Sequence, residues 1–223
     1  LATQCTSKNG VTDAGRQDAL NAFNDNRRKA VNGLLQNGAN AGDNLPHGKN
    51  MYKLEWDCGL ESLAEFLLTQ DCSVPPTTLP NNGIGAAVVT PAPATVDAVI
   101  TGAVATWPPL LQANAIAKPA AVTDPMIQDK ATKVGCTAKL CTGANPTGLA
   151  VCVYDVPGNG VCTAASAATD CTTYTPSTCD IATGLCLKTD ATTTAATTTA
   201  AAAATTASAS SVVTPSGGEL LQK

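Results

Sequence analysis

Ten cysteines, Cys5, Cys58, Cys72, Cys136, Cys141, Cys152, Cys162, Cys171, Cys179 and Cys186, constrain this chain more than any other feature of its 223 residues. An even number of thiols beside a single His suits an oxidising compartment, where each sulfur is bonded to another. A zinc cluster reads poorly: there is no Cys-x-x-Cys pair, and one imidazole cannot complete repeated sites. The expectation is an extracellular, secreted, disulfide-braced protein.

At 22.3 kDa the chain can bury an ordinary core, so one domain with appendages is expected. The formal net charge is -4 and the only dense basic cluster is Arg27-Arg28-Lys29, which leaves a nucleic-acid groove little to draw on. No apolar run is long enough to span a bilayer, because Thr breaks the Ala-rich C-terminal stretch. Leu1-Ala2-Thr3-Gln4-Cys5 carries neither a charged nor a hydrophobic leader, and a mature form with its leader removed is expected. Asn145-Pro146-Thr147 has the excluded proline, so no N-glycosylation is expected.

Residues 17 to 37 place Leu20, Phe23, Arg27, Val31, Leu34 and Leu35 near one helical stripe that ends at Gly38. Met51 to Trp56 alternates, with Tyr52, Leu54 and Trp56 on one side, as a short half-buried strand does. Asp57 reads as an N-cap for a helix whose Leu60, Leu63, Ala64, Leu67 and Leu68 share a face. A third helix carries Val96, Val99, Ile100, Ala103 and Trp107 until Pro108-Pro109 stops it. Asp124-Pro125 opens a short helical segment to about Thr132. Val134 to Cys141 and Leu149 to Val156 bracket a turn-rich 142–148; a hairpin centred near Ala144 puts Cys136 opposite Cys152. Helices and strands without a βαβ rhythm suggest helices packed on an antiparallel sheet.

Beyond residue 157 the apolar periodicity vanishes and four cysteines crowd together, so this piece is expected to depend on cross-links. Residues 189 to 211 are almost wholly Thr, Ala and Ser, the composition of a flexible or O-glycosylated stalk. The division is therefore a body over 1–157, a cysteine-rich module over 158–188 and a tail over 189–223. Cys58 and Cys72 flank the second helix roughly 20 Å apart, too far for one disulfide, so each ties that helix to another element.

The run Leu54-Glu55-Trp56-Asp57-Cys58 and the helix to Cys72, followed by Lys133-Val134-Gly135-Cys136, Lys139-Leu140-Cys141 and Val151-Cys152-Val153-Tyr154, resembles the CAP (SCP/TAPS) superfamily. Cys171-Thr172-Thr173-Tyr174, Ser177-Thr178-Cys179 and Gly184-Leu185-Cys186 are similar to the tail of its nematode members, the activation-associated or hookworm secreted proteins. The resemblance implies an α+β fold, a three-layer α-β-α sandwich with an antiparallel sheet and a small disulfide-stapled C-terminal module. It implies Cys72–Cys141 and Cys136–Cys152, with Cys5 then left for Cys58. In the module, Cys162–Cys179 and Cys171–Cys186 are expected.

Many members of the superfamily hold two His and two Glu in a central cleft that can bind zinc. On the positions that match, the two carboxylates become Ala86 and Pro109 and one His becomes Val122, while Ser73-Val74-Pro75 stands where the other would follow Cys72. The expectation is no metal, no cofactor and no catalytic set. The chain's one His, His47, lies in a turn-like loop and reads as solvated; Glu61 and Glu65 read as the wet face of their helix. Trp56 and Trp107 fall on core stripes. The proline-rich loop from Ser73 to Ala94, with its apolar Ile84 to Val89, is a candidate recognition surface. What the resemblance implies is a non-enzymatic nematode effector that engages a host protein; a lipid or sterol carrier and a structural surface-coat protein are the alternatives.

Overall fold

Thr12 begins the first helix by accepting a hydrogen bond from the Gly15 N–H, which satisfies one of the donors a helix start leaves open. In the computed structural model, which describes residues 5–6, 9–45, 47–48, 50–75, 79–113, 125–157, 171–180 and 182–189, this helix (α1) runs Asp13–Val31. It stops well before Gly38. Gly33 takes the left-handed conformation at φ 64°, and the Leu34 N–H reaches the Lys29 carbonyl at 2.8 Å, closing a Schellman motif. Leu34 is consequently 58% exposed rather than part of the stripe.

The expected strand at Met51 to Trp56 shrinks to Glu55–Trp56 (β1), although Tyr52, Leu54 and Trp56 are all buried. Asp57 then caps α2, Cys58–Leu67, accepting from Gly59 and Leu60 N–H groups at 2.8 and 3.0 Å. The apolar stretch expected in a loop is instead a strand: β2, Gly83–Val89, is fully paired. Helix α3, Val96–Ala113, runs through Pro108 and Pro109. The prolines remove the two N–H groups that would reach the Val104 and Ala105 carbonyls, but their fixed φ suits a helix. The packed face of Val99, Ile100 and Val104 holds the element together. The segment after Pro125 makes only a single 3-10 turn, Pro125–Ile127, because the following carbonyls turn toward a buried arginine; Asp124 lies outside the described residues.

Strands β3, Lys133–Cys141, and β4, Thr147–Tyr154, form the hairpin, with Cys136 paired to Cys152 in register. The sheet order is β1-β3-β4-β2, antiparallel throughout except that short β1 runs parallel to β3. Side chains alternate across a strand, and here both sets are covered. Val134, Cys136, Ala138, Ala150, Cys152 and Tyr154 meet Phe23 of α1 and Val99, Ile100 and Val104 of α3. Leu149, Val151 and Val153 meet Ala64, Leu60, Leu63 and Leu67 of α2. This is an α-β-α sandwich. Its α2 layer comes so close that a Cβ on Gly135 would overlap the backbone of Asp57 to Glu61.

A second hairpin, β5, Ser177–Asp180, with β6, Leu185–Lys188, stands apart from the main sheet. It does not rely on cross-links alone. Leu185 enters a core with Ala30, Val31, Leu35, Leu45, Met51 and Ile127, and Cys186 exchanges backbone hydrogen bonds with Met51 and Lys53. Disulfides join Cys5–Cys58, Cys72–Cys141, Cys136–Cys152 and Cys171–Cys186. Cys179 bonds no described residue, and Cys162, the partner expected for it, lies outside the described residues. So does the Thr/Ala-rich stretch after Thr189. All described residues belong to one compact unit, Leu1–Asp190.

Candidate functional site

Two concavities flank the sandwich, and their chemistry is opposite. The first is a cleft of about 200 Å³ between α1, β2, α3 and β4. Its walls include Phe23, Ala86, Ala87, Val104, Trp107 and Met126, closed by Tyr154, whose ring meets Phe23 edge-on at 6.0 Å. Ala86 borders the cleft as part of β2, but it pairs with Val151 and its side chain packs with that residue in the α2-facing core, while Gly85 faces Tyr154. Pro109 is exposed on α3 and does not line the cleft, and Val122 lies outside the described residues.

Among the described residues no His, Asp or Glu lines this cleft, and its Cys152 is already bonded to Cys136. Among the described residues no group of three His, Cys, Asp or Glu stands close enough to hold a metal ion. His47 is exposed on its loop, with Nδ1 3.2 Å from the Val31 carbonyl, and takes no part in the cleft. The residues present therefore do not fit the two-His, two-Glu site of many superfamily members. Trp107 serves both as wall and as packing, so the core reading of its stripe and the cleft reading are compatible. That Phe23, Met126 and Tyr154 line a cleft was not legible in the sequence, because apolar residues that pack a core and those that line a slot share one pattern.

The second concavity is a polar groove of about 510 Å³ between α1, β1 and the end of β6. Arg16 and Trp56 of its wall belong to a buried charged network absent from the sequence expectation. Glu61 is not on the wet face: it is 4% exposed and takes two hydrogen bonds from Arg16, at 2.7 and 2.8 Å, and one from Trp56 Nε1 at 2.7 Å. Hydrogen bonding to Glu61 raises the Arg16 pKa above its ordinary value against the opposing effect of burial, with Asp13 adding to the rise. The bidentate geometry satisfies both buried ions and holds α1 to α2.

Arg27 is the other surprise, since arginine is rarely fully buried. Arg28 and Lys29 do sit on the surface, paired with Asp25. Arg27 is fully buried and donates to the carbonyls of Tyr52, Met126, Gln128 and Ala131 at 2.6 to 3.1 Å. It organises the irregular segment beneath the cleft. Burial pushes the neighbouring Asp129 carboxyl above its ordinary pKa, although Lys130 and Arg27 pull the other way. No described helix is long and apolar enough to cross a membrane.

Comparison with known proteins places this geometry. The chain is 30% identical to the Ancylostoma secreted protein of Ancylostoma caninum over 82% of its own length, and it spans 45% of that protein. Among solved structures, that of Na-ASP-1 superposes with a TM-score of 0.66 at 24% identity, covering 83% of this chain and 48% of that one. The structure of BmVAL-1 superposes with a TM-score of 0.64 at 22% identity, covering 84% of this chain and all of the other. Residues 20–154, from α1 through the end of β4, match the CAP profile, described as the cysteine-rich secretory protein family. Extending over the whole sandwich, that match makes the chain a member of the CAP family.

Proposed function

We propose that this protein is a secreted, non-enzymatic binding protein that engages a host protein at a parasite–host boundary. The observation that carries the reading is the cleft bordered by Ala86, Trp107 and Tyr154, which has no imidazole or carboxylate among the described residues. A nucleophile or general base needs a titratable partner within hydrogen-bond reach, and the described residues of this cleft supply none beyond the Tyr154 phenol. The relative named Ancylostoma secreted protein supports the extracellular setting and the nematode context. A scaffold braced by three disulfides in the body suits recognition by its loops.

The apolar lining of the cleft favours, as a second reading, a lipid or sterol carrier. Its size argues against that reading, since about 200 Å³ falls below the roughly 300 to 1,000 Å³ of pockets that enclose a drug-sized ligand. A surface-coat role would rest on the Thr/Ala-rich tail. The deciding experiment combines capture of host serum proteins on the intact protein with native mass spectrometry and equilibrium dialysis against zinc. The expected result is saturable binding of one host protein, no retained lipid and no stoichiometric zinc. Retained sterol or acyl lipid at one per chain would transfer the proposal to the carrier, and tight zinc would refute the account of the cleft.

A further inference from the structure

The polar groove beside α1 has no part in the host-protein reading, and its charges are unevenly satisfied. Four cations line it: Arg16, Lys53, Lys133 and Lys188. Arg16 is held by Glu61 and Asp13. Lys133 lies 3.4 Å from Asp57 and stands opposite Glu55 in the β1–β3 register, so its charge is also offset. Lys53 and Lys188 are both exposed and have no ion-pair partner among the described residues; Lys188 rests over the Tyr174 ring at 4.8 Å. The Lys53 N–H donates to the Cys186 carbonyl at 2.7 Å, which fixes the two lysine-bearing segments side by side on one rim.

The opposite wall is neutral and hydrogen-bonding. Gln17, Leu20, Asn21 and Asn24 recur at the spacing of one helical face, and Asn24 is spent on both backbone groups of Leu54. Gln17 and Asn21 bond each other at the exposed edge. A lipid would gain little from such walls, whereas a hydroxylated ligand exchanges hydrogen bonds with the amides and places oxyanions against the ammonium groups. The groove's volume is that of a site for several linked sugar units rather than for one ion.

We infer that this groove binds a saccharide carrying sulfate or carboxylate groups, with Lys53 and Lys188 as the anion contacts. The inference does not depend on the host-protein reading and can fail without it.

Calorimetric titration of the full chain at low ionic strength tests it with a heparin-derived hexasaccharide, the same hexasaccharide after chemical desulfation, and inorganic sulfate at equal sulfate concentration. The sulfated hexasaccharide binds and weakens as salt is added, and the other two do not bind. Lys53→Gln and Lys188→Gln each weaken binding about threefold and together about tenfold, the scale of exposed ion pairs. Arg28→Gln and Lys29→Gln, on charges outside the groove, change nothing. Absence of binding, or binding untouched by the double lysine variant, overturns the site. Equal binding by the desulfated sugar overturns the anion contacts, and equal binding by inorganic sulfate overturns the saccharide.

Discussion

The sandwich and the small β5–β6 hairpin are both cross-linked, but they use sulfur differently. In the body, Cys136–Cys152 joins two residues that the β3–β4 ladder has already paired, between strands buried on both faces. The disulfide there reinforces a packed sheet. The β5–β6 strands are four residues each and their outer positions are open; Leu185 is buried among residues of the body, and Cys186 is buried beside Met51 and Lys53 of the body and its own bonded Cys171. A two-stranded hairpin is marginal alone in water, so this one exists because it docks and because Cys171–Cys186 closes its loop. A cross-link counts most where the folded state contributes least.

That contrast is most severely tested at the seam. Arg27 bonds the Tyr52 carbonyl, one residue from the Met51 and Lys53 groups that hold Cys186. Arg27→Met takes a donor from four buried carbonyls, of which that of Gln128 keeps the Ala131 N–H, and is expected to cost about 4 kcal/mol, read from urea unfolding, with β5–β6 and the 126–131 segment becoming protease-sensitive together. Survival of the hairpin in that variant would show the two regions to be independent.

Removing the module's staple comes next. Cys171 and Cys186 are 15 residues apart, a loop whose closure is worth about 3 kcal/mol. The Cys171→Ser/Cys186→Ser variant is expected to lose hydrogen-exchange protection at Lys53 and through β5–β6 while β3 and β4 keep theirs. Uniform loss across both regions would erase the distinction drawn above.

Within the body the packing is expected to dominate. Gly135→Ala forces a methyl into the α2 backbone and should destabilise by about 2 kcal/mol in thermal unfolding, whereas Gly143→Ala, with nothing within 4 Å, should be near neutral. An equal effect at both positions would refute the close approach of α2.

The smallest effect is at the α2 cap. Burial opposes ionisation of Asp57, yet the Leu60 N–H, Lys133 and the Gly59 N–H together hold its carboxyl below the ordinary carboxylate range. Asp57→Ala should cost about 1 kcal/mol at neutral pH. Because the folded-state pKa lies below the unfolded one, this contribution is complete above about pH 4 and disappears as pH falls through the folded value. The gap between wild type and variant in chemical denaturation should therefore close in acid, and a gap that widened there would contradict the assignment.

Local chemistry made several elements legible. The Asp57 cap and the Leu60-to-Leu68 spacing specify α2 without reference to the rest of the chain, and the turn-rich 142–148 centres the hairpin that pairs Cys136 with Cys152. Strand β2 was hidden, because Gly83-Ile84-Gly85-Ala86-Ala87 has small residues and proline-rich flanks; only β4, distant in the chain, supplies its hydrogen-bond partners. Glu61 looked solvated for a similar reason. Its partner Arg16 is 45 residues away, and no local pattern announces a buried ion pair. In the cleft, Ala86 was reachable only through family likeness, whereas Phe23 was legible as part of the α1 stripe but not as a cleft wall, and Met126 was not marked.

By itself, the sequence determined the supply of cysteines, the amphipathic α2, the β3–β4 register with its Cys136–Cys152 pair and the shortage of imidazole, since each depends on residue type and short spacing; Cys5–Cys58 and Cys72–Cys141, 53 and 69 residues apart, were reachable only through family likeness. Only the tertiary structure decided which charges are buried, where β6 docks and how small the cleft is. Those outcomes depend on groups distant in the chain replacing water around one another, and desolvation is a property of the assembled interior rather than of any segment.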